Sequence, residues 1–400
     1  MKHVSRRGFL QAMGIGTGAL IGTRLAGPGL FGIAQAATPE PTTVVVVYLT
    51  GGFNAIFTGA DAFTNTAFGV TAGNSTVLGG GLTIDSTLAN AIPAGIRNKV
   101  ASVGIRHGIT DHGVAERSLF LSGNQSAPLM LADAMGGTGA IKAAVVGDNS
   151  LPNGERPAPV NGVSLQPIND MRATIEAIAG AANAPNLADR PGMAKGLAAS
   201  RAMSKSAVTK HPVSLASVDQ GLTSAIATVQ KPVQVFNAAE FNTAYGLGGG
   251  TNVNSFSAQM AAAELMVRSG ANIVVAPDGF NWDTHGDTNG DNVRNQMSER
   301  IAPSLNTFLT RMVQNAAAER NVVVAIMGDF HRSLPGSDHQ GNLSALLIGK
   351  TLKNATTGKT DGNVGQSPNT PSIAGLWQLL GAATKSSTNP FGANPHAVLA

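Results

Sequence analysis

The 400-residue chain contains no cysteine. That excludes disulfides, thiolate zinc sites and thiol nucleophiles, so the core must hold without cross-links. Charged residues make up only 12% of the chain and aromatics 4%. Its surface must therefore be polar mainly through Ser, Thr, Asn and Gln, which suits a secreted protein. Beyond the N-terminal region no apolar run approaches the ~20 residues that span a bilayer. The rest of the chain accordingly reads as soluble, with no integral membrane segment. The apparent basic excess is also local. Residues 1–36 carry Lys2, Arg6, Arg7 and Arg24 and no acid, and without them the 27 basic residues fall to 23, equal to the 23 acidic ones. A balanced chain gives no reason to expect nucleic acid as a partner.

That N-terminal region has its own logic. Ser5-Arg6-Arg7-Gly8-Phe9-Leu10 reads as a twin-arginine export signal, followed by an apolar Gly/Ala-rich stretch from Phe9 to Leu20 and a small-residue cleavage site at Ala34-Gln35-Ala36. It predicts a periplasmic or secreted protein that meets the twin-arginine export machinery already folded. Residues 37–400 then form one domain.

Within that domain, Thr42–Leu49 (TTVVVVYL) reads as a strand buried on both faces, ending at the turn Thr50-Gly51-Gly52-Phe53-Asn54. Further strands are expected at 99–105, 143–146, 272–277, 321–327 and 343–348. Helical patterns lie between them, at 255–269 before Gly270 and at 293–320. This alternation predicts an α/β fold: a three-layer α/β/α sandwich with a mainly parallel central sheet. The segment 165–250 is rich in Ala, Ser and Asn and lacks valine runs. It reads as a helical or loop insertion forming a cap.

Polar clusters follow the predicted strands, where open α/β sheets place ligands. They are Asn54; His107, Asp111 and His112; Asp283 and His285; and Asp329, His331, Asp338 and His339. Carboxylate oxygen and imidazole nitrogen suit a divalent metal such as zinc, manganese or calcium. In Asp283-Thr284-His285 the spacing puts both ligands on one side of an extended segment.

Asn281-Trp282-Asp283-Thr284-His285-Gly286 resembles the G-W-D-T-H signature of the exported bacterial domain-of-unknown-function family 1501. The Arg-Arg signal, the strand ending in Gly-Gly, the His-rich segment 107–123, Asp329-Phe330-His331-Arg332, the Asp338-His339 pair and the tail from Pro371 agree in order with that family. The family is similar to the alkaline phosphatase and sulfatase superfamily. The resemblance implies an alkaline phosphatase-like fold with metals at the C-terminal edge of its sheet. Asp283, His285 and His339 would serve one ion, and Asp329 with His331 a second. Asn54, Thr58, His107, Asp111, His112 and Asp338 would line the site. Two positions depart from the superfamily pattern. Asn54 stands where that pattern has an acid, and no hydroxyl is singled out as nucleophile among Thr58, Thr110 and Ser118. Two functions follow. One is a metal-dependent hydrolase of small-molecule or glycan phosphate or sulfate esters. The other is a non-catalytic envelope binding protein that keeps the hydrolase fold.

Overall fold

The computed structural model describes residues 41–63, 68–137, 139–179, 190–210, 237–335, 338–357, 372–386, 388–392 and 397–400. The signal reading at 1–36 lies outside them. The strands in chain order are β1 (Thr42–Leu49), β2 (Phe53–Asn54), β3 (Ser75–Gly79), β4 (Leu82–Asp85), β5 (Val100–Arg106), β6 (Leu121–Ser122), β7 (Gln125–Ser126) and β8 (Ala143–Val146). They continue as β9 (Leu165–Ile168), β10 (Ile273–Asp278), β11 (Asn321–Gly328), β12 (His331–Arg332), β13 (His339–Gln340), β14 (Asn342–Gly349) and β15 (Ala355–Thr357).

Eight of these form one sheet in the order β15-β5-β14-β11-β1-β10-β8-β9. Every neighbouring pair is parallel except the two made by β14, which runs antiparallel to both β11 and β5. The sheet is thus mainly parallel. β1 lies at its centre because its side chains suit burial on both sides. Val44, Val45, Val46 and Val47 are all 0% exposed. Each fully buried valine contributes roughly 1.5–3 kcal/mol before entropy is counted.

Helices cover both faces. The even-numbered β1 residues Val44, Val46 and Tyr48 share a cluster with Leu119 and Phe120, Leu129 and Leu131, and Trp377 and Leu380. These come from the helices His112–Phe120, Ala127–Ala134 and Ile373–Ala383. On the other side lie the helix Phe256–Arg268, which packs on β10, and a long helix over 291–314, whose last turn packs on β11. Ser255 caps the first of these with its hydroxyl on the Ala258 amide. The second contains π-helical turns at Met297–Ile301 and Leu309–Gln314 and stops there. The helix expected to reach residue 320 is therefore shorter, and Ala316 and Glu319 adopt positive φ instead.

The reading of 165–250 as helix and loop needs one correction. Leu165–Ile168 is an edge strand paired in parallel with β8. Its pattern of two exposed central residues and a proline is tolerated only at a sheet edge. The following helices are Met171–Ala179, Arg190–Lys210 and Ala238–Tyr245. By internal contacts the main unit comprises Pro39–Thr174 and Phe236–Ala400, and Ile175–Val235 belongs to a second unit whose described residues are helical. Among the described residues, no helix is long and apolar enough to cross a membrane.

Candidate metal centre

The register aligns the ends of the central strands. Leu49 pairs with Asp278 on one side and with Gly328 on the other. The segments after β1, β10 and β11 therefore leave the same sheet edge together. Three glycines let them approach. A Cβ on Gly51 would stand 2.7 Å from the Asp283 amide nitrogen, one on Gly52 2.6 Å from Arg332 Nε, and one on Gly328 2.6 Å from the Gly52 carbonyl carbon.

The loop carrying Asp283 is bolted down on both sides. Trp282 is 1% exposed, its indole donates to Asp278 Oδ2 at 2.8 Å, and its amide donates to the Thr50 carbonyl at 2.8 Å. Asp278 is buried and held in turn by the Arg300 guanidinium at 2.7–2.9 Å. The Asp283 amide donates to Asn281 Oδ1 at 2.9 Å.

Next to this loop, β12 pairs with β2 and β13 in a small three-stranded ribbon. Its register places Asn54, Arg332 and His339 in one cross-strand row, and Phe53, His331 and Gln340 in the next. Successive residues of a strand face opposite ways, so Arg332 and His339 share a face and His331 turns away. Arg332 is fully buried. Its Nε and Nη2 donate to the Gly51 carbonyl at 2.8 and 2.5 Å, and it ion-pairs with Asp283 Oδ1. Burial presses the guanidinium below its usual range, against the opposing charges of Asp283 and Asp329.

Three imidazoles complete the cluster. His112 opens the helix His112–Phe120, which Asp111 caps by accepting from the Val114 amide at 2.9 Å. His112 Nδ1 hydrogen-bonds Asp329 Oδ2, and its Nε2 lies 3.6 Å from Asp283 Oδ2. His339 Nδ1 donates to the Thr110 carbonyl at 3.1 Å. His285 Nδ1 lies 3.4 Å from Asp338 Oδ1. The Phe330 ring supports the group from beneath, with centroids 4.9 Å from His112 and 4.8 Å from His339.

At His112 and His339 a carboxylate or carbonyl accepts at Nδ1, which in the neutral ring leaves the lone pair on Nε2. Arg332 agrees, because a guanidinium only donates and it faces His285 Nε2 at 3.3 Å and His112 Nε2 at 3.5 Å. His285 Nε2 and His339 Nε2 stand 3.1 Å apart, with Asp283 Oδ1 at 3.0 Å from the first and 3.8 Å from the second. Such an arrangement could hold a metal ion beside the Arg332 guanidinium. Zinc bonds of 2.0–2.1 Å in a tetrahedron imply ligand-to-ligand separations of about 3.3 Å, which these distances bracket. His112, Asp283 and His339 each offer a ligand atom within 4.8 Å of the others.

The expected site residues thus divide. Asp283, His285 and His339 come together, and His112, expected only at the rim, lies among them. Asp329 and Asp338 sit behind the imidazoles as partners of Nδ1. Burial raises the Asp329 carboxyl above its usual range, and the hydrogen bond from His112 opposes that rise. His331, expected as a ligand, is instead sealed in the core, with Nε2 3.4 Å from the Thr58 hydroxyl. Burial and the neighbouring His107 push it down to about 3. His107 is half-buried beside Phe330, and desolvation pushes it down to about 4. Thr58 belongs to that core contact, and its hydroxyl also donates to the Ala55 carbonyl at 3.2 Å. Asn54 is buried and spends Oδ1 on the Ile56 amide at 3.1 Å. Asp111 is spent as a helix cap.

Sequence reasoning missed Arg332, Phe330 and Glu116. The strand alternation within 329–332 could have pointed to Arg332. Glu116 lies one turn after His112 and accepts from the Tyr48 hydroxyl at 3.2 Å. Burial and the nearby Asp329 raise it to about 7. Comparisons with protein families, characterised proteins and solved structures gave no match.

Proposed function

We propose that the chain is an exported metal-dependent hydrolase of phosphate or sulfate esters, built around one divalent ion. The observation that carries this reading is the convergence of the Nε2 atoms of His112, His285 and His339 on the Asp283 carboxylate, with His112 and His339 each held at Nδ1 by an acceptor. Metal-binding histidines are characteristically fixed in this way. His112, Asp283, His285 and His339 would hold the ion. Three nitrogens and one carboxylate suit zinc or manganese better than calcium, which prefers six to eight oxygens. A bound ion would supply Lewis-acid polarisation of an ester oxygen and a nucleophile at neutral pH.

The chain's own residues do the rest. Asp329 and the Thr110 carbonyl fix the His112 and His339 rings. Arg332 steadies Asp283 and sets a positive charge beside it. His285, with its side chain 51% exposed, forms the open side where an ester can arrive. A single ion is favoured over two, because Asp329 is engaged by His112 and His331 lies in the core. The order of motifs from Asp283 to His339 and the mainly parallel sheet support kinship with the alkaline phosphatase and sulfatase superfamily, and Arg6-Arg7 supports export.

A second reading, a binding protein without turnover, is favoured by Thr58, whose hydroxyl is occupied by His331 and the Ala55 carbonyl. The test is elemental analysis of the purified full chain, paired with hydrolysis of p-nitrophenyl phosphate and p-nitrophenyl sulfate. The expected result is about one divalent ion per chain, lost with its ester hydrolysis in Asp283→Ala. Bound metal with neither ester cleaved selects the binding protein. Metal retained by Asp283→Ala rejects the centre.

A further inference from the structure

A separate cavity lies at the far end of the helix His112–Phe120. About 350 Å³ in volume, it is lined by Leu121, Ser126, Arg156, Pro157 and Pro159, with the exposed amides of Asn124 and Gln125 at its wall. It lies just past the last residue of the helix that His112 opens. At 1.5 Å per residue this is about 13 Å from the histidine cluster.

Ser126 is the informative residue. It is 2% exposed, it lines the cavity, and its hydroxyl has no hydrogen-bond partner. It also occupies the N-cap position of the helix Ala127–Ala134, where serine normally accepts from an amide one turn in. Here the hydroxyl makes no cap bond. Pro128, at the second helical position, has no N–H to donate and so removes one of the two amides a serine cap can use. The helix start therefore keeps its positive end toward this wall with an uncommitted hydroxyl beside it.

Arg156 adds a full charge. Its Nε donates to the Asn149 carbonyl at 2.7 Å, which fixes the guanidinium against the loop. The one acid in the lining, Glu155, is already paired with Arg117 at 3.0 Å. The remaining walls are carbon from proline, leucine, alanine and valine side chains. We infer that this cavity binds a small organic carboxylate, with its anionic head on Ser126, Arg156 and the helix start and its short apolar body on Pro157, Pro159 and Leu121. The volume suits a small ligand.

The test is calorimetric titration of the full chain with butyrate, n-butanol and inorganic phosphate. Butyrate should bind and butanol should not. Arg156→Gln and Ser126→Ala should each weaken butyrate by about tenfold, the scale of a lost charge-assisted hydrogen bond. The Ser126 hydroxyl caps nothing, so its removal leaves the helix start intact. Asp283→Ala should leave butyrate affinity unchanged, which separates this site from the metal centre. Equal binding of butanol, tighter binding of phosphate, no effect of the two cavity variants, or loss of butyrate in Asp283→Ala would each overturn the assignment.

Discussion

Asp329 holds His112 through Nδ1 and so aims its Nε2 at Asp283. The carboxylate is buried, and the contact fixes both the tautomer and the tilt of the ring. Replacing Asp329 by Asn keeps the shape but lets the amide donate, which favours the opposite tautomer. Asp329→Asn should weaken divalent metal binding by about 10–100-fold, the usual cost of losing such a partner. A competitive chelator titration measures this. An unchanged affinity would mean that His112 does not ligate.

Gly52 should tolerate no side chain. Its φ is +133°, and a Cβ would lie 2.6 Å from Arg332 Nε and 2.8 Å from Arg332 Cγ. Gly52→Ala should destabilise the fold by about 1–3 kcal/mol in urea unfolding. The metal affinity of the variant should fall as well, because Arg332 must leave Asp283. A variant with both quantities unchanged would disprove the close packing.

His331 should make the protein acid-sensitive in a defined window. Burial lowers it from 6.5 to about 3, so the unfolded chain takes up a proton first. Its contribution is complete above pH 6.5 and drains away as pH falls toward 3. By pH 4 the loss is on the order of 3 kcal/mol. Urea melts of wild type and His331→Gln at pH 7 and pH 4 should show a smaller loss in the variant. Parallel losses would place the acid sensitivity elsewhere.

Arg6 and Arg7 should direct export as a pair. Replacing both with Lys keeps the charge and removes the guanidinium groups. Cell fractionation should then find the unprocessed precursor in the cytoplasm. Normal processing in the periplasm would rule out the twin-arginine route.

The sequence made the centre of the sheet plain and its margins obscure. Four adjacent valines admit only burial on both faces, so β1 was legible to the residue. Strand direction was not, because Leu343–Ile348 reads alike parallel or antiparallel, and only the pairing reveals that β14 is reversed. The edge strand Leu165–Ile168 escaped because sparse burial leaves no apolar pattern. In the cluster, Asp283 and His285 were legible from their spacing. His331 misled because a histidine among acids looks like a ligand, whereas the parity of one short strand gives the inner face to Arg332. His112 was undervalued because the helix that aims it begins at His112 itself.

The pairing of β1 with β10 carries one more consequence, for the order of events during folding. Val44 meets Ile273 and Thr42 meets Asn321, so the strands framing the cluster come from opposite ends of the chain. Contacts this distant in sequence close late and slowly. An ion therefore cannot seed this fold as it seeds a zinc finger. On the proposed reading, uptake would wait until the first and last thirds of the polypeptide have met, which would make bound metal a stringent reporter of completed folding.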